Sequence, residues 1–359
     1  MAAPAYLKQI IEGRETLTRS QACSLMRQIF AGELTEMQLA AMLGGIGARG
    51  ETPAELAGFV DAMRDAATPV PLDEAERSVL VDTCGTGGDA SDTFNISTAA
   101  ALVAAAAGAT VAKHGNRAVT SKCGSADVLE ALGIPTGLTP AEAADALRRH
   151  RFAFLHAPTL HPAMKAVMPV RRALGVRTVF NVLGPLTNPA GARAQVMGVY
   201  DTRLVPIVAE AMLLLGVRHA FVVHGAGAAD AHQEPSPSPG MDELSLSGPT
   251  HFAEVRGSEI FLGQLTPGQV GLRPAPIESL RGGDAAANAA ILRAVFSGEP
   301  GPRRDVVLLN AAAVLIAAGL VSALASDRHE AFRAGIDLAA RTIDSGAVTR
   351  LIANLSADR

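Results

Sequence analysis

A glycine-rich turn set between a strand and a helix restricts this chain to few folds. Ser78-Val79-Leu80-Val81 is a short apolar run suited to a buried strand, and Ile96 to Ala107 is Ala-rich without proline, which predicts a helix. Between them stands Val81-Asp-Thr-Cys-Gly-Thr-Gly-Gly-Asp89. Such a turn aims backbone N–H groups at a ligand, and the helix dipole favours negative charge there. Gly85, Gly87 and Gly88 lack Cβ atoms, so a phosphate can approach the backbone. Asp89 complicates the cradle, because a carboxylate repels a phosphate unless a cation separates them. Two readings stay open: a Mg²⁺-bridged diphosphate, or an Asp that binds sugar hydroxyls or caps the helix. Both point to a phosphorylated sugar.

Other phosphate motifs are excluded at this turn. Gly88 is followed by Asp89-Ala90, not by the Lys-Ser/Thr of a Walker loop, and Ala90 fills the last glycine slot of the dinucleotide pattern. A net charge of −4 gives no general affinity for nucleic acid or an anionic membrane, so any anion site must be local. No apolar run reaches the roughly 18 residues of a membrane span, and the N-terminus does not read as a signal peptide. Cys23, Cys84 and Cys123 are odd in number without Cys-x-x-Cys spacing, which predicts neither disulfides nor a zinc site and implies a cytoplasmic protein. Lysine is scarce. Of Lys8, Lys113, Lys122 and Lys165, three fall in or near the motif region, where a compact ammonium suits a phosphate.

The order of elements predicts an α/β fold: a small all-helical N-terminal domain, then a larger α/β domain with a central, mostly parallel sheet flanked by helices. Residues 1–70 read as the helical domain. Thr18 with Gln21, Thr35 with Gln38, and Thr52-Pro53 with Glu55 are three helix starts in succession. Their apolar faces need partners, among them a second subunit. Pro69-Val-Pro71-Leu-Asp marks the passage to the α/β domain, 71–359. There Thr110–Lys113, Phe152–His156, Gln195–Tyr200 and His219–Val223 read as strands, and Ser125–Leu132, a helix opened at Thr139 by a capping box, and Leu204–Leu215 as helices. His161–Leu174 reads as helical and 176–189 as a connector punctuated by Pro and Gly. Thr250–Val255 and Glu259–Leu262 read as an antiparallel addition, and three helices close the chain at 285–296, 306–318 and about 328–343. The Gly-, Pro- and Ser-rich stretch 225–239 reads as a mobile surface loop.

Several motifs recur in order. Gly85-Thr-Gly-Gly-Asp89, Asn95-Ile-Ser-Thr98, Lys113-His-Gly-Asn-Arg117, Gly124-Ser-Ala-Asp127 and Asp242-Glu243 together resemble the anthranilate phosphoribosyltransferase family of tryptophan biosynthesis, over nearly the whole chain. The resemblance implies a phosphoribosyl-diphosphate site made of Gly85, Gly88, Asp89, Thr93, Asn95, Ser97, Thr98, Lys113 and Ser125. It implies an anthranilate site of Gly85, His114, Asn116, His161, Arg171 and Pro185, with Arg171 pairing the carboxylate. Two Mg²⁺ ions per subunit would be held by Ser97, Asp242 and Glu243. It further implies a homodimer through the helical domain, a crossing segment around 165–190 that returns to that domain, and an insertion at 225–239. No residue is implied as a certain acid, base or nucleophile.

Taken without the resemblance, Asp242-Glu243 reads as a solvated acidic turn, Asn95 or Ser97 as a helix N-cap, and Arg171 as a surface or C-terminal helix charge. Two other functions compete. A pyrimidine nucleoside phosphorylase would carry a Lys-His-Ser string where Leu80-Val-Asp82-Thr-Cys84 stands. A nucleic-acid binder on the same scaffold would lose the glycine loop and gain a basic face.

Overall fold

The computed structural model describes residues 3–118, 122–227, 240–322 and 328–358; most of the stretch read as a mobile loop, 228–239, lies outside the described residues. Helices Arg19–Phe30, Glu36–Arg49 and Pro53–Asp65 begin where the sequence predicts, each with a complete capping box at Thr18, Thr35 and Thr52. A short helix, Ala3–Leu7, and one π turn, Lys8–Glu12, precede them. Glu55 is fully buried among these helices. Its carboxylate accepts from the Leu17 N–H at 2.9 Å, from Thr52 Oγ1 at 2.8 Å and from the Arg49 guanidinium at 2.6 Å, which is how the interior tolerates its charge.

Among the described residues, seven strands form one sheet in the order β3-β2-β1-β4-β5-β6-β7. They are β1 Leu80–Gly85, β2 Thr110–Gly115, β3 Phe152–His156, β4 Ala194–Gly198, β5 His219–Gly225, β6 Thr250–Arg256 and β7 Glu259–Leu265. β3 through β5 run parallel, and β6 and β7 add antiparallel at one edge. Strand alternation gives the sheet two buried faces. Val196, Phe221 and Val223 meet helices Ile96–Ala106 and Pro302–Ala317 on one side. Met197, Ala220 and Val222 meet helix Leu204–Leu214, the helical N-terminal residues and the segment 167–186 on the other.

The chain leaves β1 towards β2 and β3, then returns to the opposite side of β1 as β4. This reversal is the switch point at which open α/β sheets bind ligands. It places the turn after β1 beside the end of β4.

Some elements differ from the sequence reading. His161–Leu174 is broken at Pro162 and Pro169 into a 3₁₀ turn Pro162–Ala166 and helix Met168–Leu174, with a further helical turn, Ala157–Leu160, just before it. The connector read at 176–189 contains a helix, Val179–Leu186; Pro185, inside it, withholds the N–H that would bond back to the Asn181 carbonyl, and the helix ends one residue later. Among the described residues the closing helices number four. Pro302 opens the second from its first position, and Gly346, at φ 72°, separates Arg328–Asp344 from an additional helix, Ala347–Ala357.

Helices Arg19–Phe30 and Pro53–Asp65 cross at Gly58, where a Cβ would lie 2.1 Å from the Arg19 carbonyl oxygen. Gly58→Ala therefore forces backbone apart and is expected to cost about 1–3 kcal/mol, measurable as a lower urea midpoint. An unchanged midpoint would show that the crossing has slack.

Candidate active site

Three neighbouring strand ends in the sheet carry glycine for one steric reason. A Cβ on Gly85 would lie 2.0 Å from Asp242 Oδ2, one on Gly198 would lie 1.6 Å from the Asp242 carbonyl oxygen, and one on Gly225 would lie 2.6 Å from that of Glu243. The backbone of 241–243 thus lies directly across the ends of β1, β4 and β5. Gly225 and Met241 exchange both backbone hydrogen bonds, at 2.9 and 2.7 Å, and fix that segment in place. Contrary to the sequence reading, Gly85 is not open for a phosphate to approach; its space is filled by Asp242.

The turn after β1 is anchored at each end. The Thr86 N–H donates to the Gly198 carbonyl at 3.0 Å, and the Gly87 N–H donates to Asp242 Oδ2 at 2.7 Å. Gly87 and Gly88 adopt φ of 67° and 74°, and Ala90 and Asp92 share the left-handed region at 58° and 53°. Asp89 does not cap the helix. It accepts from the Ser91 hydroxyl at 2.7 Å and from the Asp242 N–H at 3.2 Å. Thr93 Oγ1 lies 3.3 Å from Ser91 Oγ, and Thr93 bridges to Arg281. Asn95 stands at the N-cap position of helix Ile96–Ala106, yet its side chain makes no cap bond. Its amide donates to the Cys123 carbonyl at 3.2 Å and accepts from Asn288 at 2.9 Å. The open N-terminus is served instead by Glu243, whose carboxylate accepts from the Ser97 N–H at 2.9 Å. Thr98, in the same first turn, is buried.

Acidic side chains outnumber their counter-charges here. Burial, then the charges of Asp89 and Glu243, hold the Asp242 carboxyl well above the usual range. Burial pushes Glu243 up to about 7, against the opposing pull of Lys113 and the Ser97 N–H. Beneath them Asp82 is pushed up to about 6 by burial, although it accepts from the His114 N–H at 3.1 Å and from Asn188 at 2.8 Å. Lys113 is the buried cation among them; its ammonium donates to the Thr83 carbonyl at 2.6 Å, and burial lowers its pKa. Burial likewise raises the Cys84 thiol well above its ordinary value, which disfavours the thiolate.

This donor set fits a hard cation. Asp242, Glu243 and the Ser97 hydroxyl offer oxygen, and a carboxylate pushed towards protonation is one that lacks a neighbouring positive charge. Among the described residues no three His, Cys, Asp or Glu form a self-contained cage. Mg²⁺ does not need one, since it is held by one or two carboxylates together with water and substrate phosphates.

A second group lies one strand over. His114 and His161 are buried with ring centroids 5.0 Å apart, and burial lowers them to about 3 and about 4. One nitrogen of each ring meets a backbone group, at Gly184 and Thr187, while each Nε2 is buried without a partner. A neutral ring donating to a carbonyl through Nδ1 presents a bare lone pair at Nε2. Arg171 lies over the Phe180 ring at 5.4 Å; burial lowers its pKa, and among the described residues no carboxylate pairs with it. Pro185 is buried, its carbonyl accepting from Gln195 at 2.6 Å. Asn116 Oδ1 accepts from the Arg117 N–H at 2.7 Å, and the Asn116 carbonyl accepts from the Ser125 hydroxyl at 3.3 Å.

Sequence reading missed Asp82, Asn188 and Arg177. Asn188 had a local signal, the Asn-Pro pair at 188–189; it donates to both Asp82 and the Ala112 carbonyl at 2.8 Å and so pins β1 to β2. Arg177, which donates to the Gly88 carbonyl, had none.

Residues 77–349 match the model described as "Glycosyl transferase family, a/b domain", and residues 4–67 match "Glycosyl transferase family, helical bundle domain". The anthranilate phosphoribosyltransferase of Symbiobacterium thermophilum is 50% identical over 348 residues, 97% of this chain and 95% of that protein. The solved structure of the enzyme of that name from Thermus thermophilus is similar at a TM-score of 0.86 and 43% identity, covering 99% of each chain. That from Saccharomyces cerevisiae, in complex with PRPP and Mg, is similar at 0.83 and 26%, covering 99% and 98%.

The two buried histidines tie stability to pH. Both are held below 6.5 in the folded state, so the unfolded chain binds protons that the folded chain refuses. Their contribution is complete above pH 6.5 and is lost as pH falls towards about 4 and about 3. Replacing both by Gln removes this dependence while leaving the raised carboxyls unchanged. Relative to that variant, wild type should lose up to about 2 kcal/mol per histidine between pH 6.5 and 5, read by urea unfolding. Parallel pH curves would show that the rings accept protons in place.

Proposed function

The chain belongs to the anthranilate phosphoribosyltransferase family, and from that premise we propose how its residues divide the work. The reaction transfers the 5-phosphoribosyl group from phosphoribosyl diphosphate to the amine of anthranilate, giving N-(5-phosphoribosyl)anthranilate and diphosphate. Gly88, Asp89, Thr93, Asn95, Ser97, Thr98 and Ser125 surround the donor, and Gly85 contributes from below by seating the Asp242 carboxylate. Lys113 supplies buried positive charge under the site, and the N-terminus of helix Ile96–Ala106 adds its dipole. Asp242, Glu243 and Ser97 hold the metal, two Mg²⁺ ions per subunit. Bound Mg²⁺ adds positive charge where the diphosphate departs.

Arg171 takes the anthranilate carboxylate, a role supported by a half-buried guanidinium without an acidic partner. His114, His161, Asn116 and Pro185 form the acceptor pocket, and the lone pairs at Nε2 can receive amine N–H. In the step itself the C1–O bond to diphosphate breaks, the C1–N bond forms, and the amine proton leaves with diphosphate or solvent. A neutral arylamine is already nucleophilic, so alignment and leaving-group stabilisation carry the rate. The observation that carries this reading is the convergence of Asp89, Asp242 and Glu243 on the glycine turn and the helix N-terminus behind it.

Residues 1–70 form the helical domain in this proposal, completed by the crossing segment around 165–190, and 71–359 bind the donor. The enzyme acts as a homodimer in the cytoplasm. Ile11, Met37 and Val176 are exposed apolar groups on the helical domain and the crossing segment, where a second subunit would cover them. No helix of the described residues is long and apolar enough to cross a membrane.

Loss of anthranilate fluorescence on adding phosphoribosyl diphosphate and Mg²⁺ tests the assignment. Glu243→Gln is expected to weaken Mg²⁺ dependence by about 10–100-fold, and Arg171→Ala to raise KM for anthranilate by about 100-fold with a smaller effect on the donor. Unaltered kinetics in either variant would remove that residue from the site.

A further inference from the structure

Resting on the donor site just assigned, we propose that Arg177 is a positioning residue that clamps the glycine turn and thereby sets affinity for phosphoribosyl diphosphate. Its Nη1 donates to the Gly88 carbonyl at 2.9 Å, and its guanidinium stacks on the Tyr200 ring at 4.4 Å. The Tyr200 N–H in turn donates to Thr86 Oγ1 at 3.1 Å. One stacked pair thus grips both sides of the turn, Thr86 and Gly88. The turn needs such a grip. Gly87, Gly88, Ala90 and Asp92 all sit at positive φ, and two of them carry a Cβ that disfavours it. A turn of this shape opens readily unless its surroundings fix it.

Arg177 also joins distant parts of the molecule. It lies between helices Met168–Leu174 and Val179–Leu186, whose Val170, Val179 and Phe180 share a core with the N-terminal helices. Arg171 and the Phe180 ring beneath it belong to the same stretch. The Tyr200 hydroxyl is raised by burial and then by the charge of Glu51, which follows helix Glu36–Arg49. A single segment therefore holds the acceptor's arginine at one end and the donor's turn at the other.

The test compares Arg177→Ala and Arg177→Lys with wild type. Arg177→Ala should raise KM for phosphoribosyl diphosphate about tenfold while kcat stays within about twofold and KM for anthranilate scarcely moves. In the free protein, amide hydrogen exchange across 86–92 should accelerate with the thermal midpoint unchanged. Arg177→Lys keeps a donor for the Gly88 carbonyl and should recover part of both effects. Unchanged donor KM, or a fall in kcat at constant KM, overturns the proposal, as does unchanged exchange. The exchange measurement needs no substrate, so the clamp can fail independently of the reaction assigned above.

Discussion

The backbone of residues 241–243 lies across three glycine strand ends, and the rest of the site is arranged around that contact. No other residue type would let Asp242 settle between Gly85 and Gly198. Once there, its carboxylate fixes the Gly87 N–H, its own N–H fixes Asp89, and the adjoining Glu243 reaches the first turn of helix Ile96–Ala106. A steric vacancy at the sheet edge is thereby converted into an ordered set of acids.

Those acids are an electrostatic burden on the folded chain. Asp82, Asp242 and Glu243 are all pushed up by burial, and Lys113, itself lowered, is their buried cation. The arrangement favours a bound cation and its ligand over the empty protein, as expected where binding takes precedence over stability. The group around His114, His161 and Arg171 has the opposite character, neutral imidazoles beside an arginine that no carboxylate pairs with among the described residues.

What was legible in the sequence was local. Capping boxes at Thr18, Thr35, Thr52 and Thr139 fixed helix starts because the bonds span three residues. Strand and helix alternation revealed the sheet for the same reason. The motif string named Asp89, Ser97, Asp242 and Glu243, which the fold brings together at the glycine turn and the helix behind it. The reasons for its residues were less visible, since they lie in contacts across the chain. Gly85 serves Asp242, far away in the sequence, and the amide of Asn95 joins Asn288 where a cap was expected. Pro185 read as punctuation, yet it completes a helix whose apolar residues pack in the core. Arg177 carried no signal at all, because its partners Gly88 and Tyr200 come from two other segments.

The paired hydrogen bonds between Gly225 and Met241 close the base of the connection from β5 to β6. Chain added above that pinch adds only the slowly growing entropy of a longer tether, and it leaves Asp242 where it stands. In evolutionary terms, length here can drift among descendants without displacing the carboxylate one residue beyond the closure.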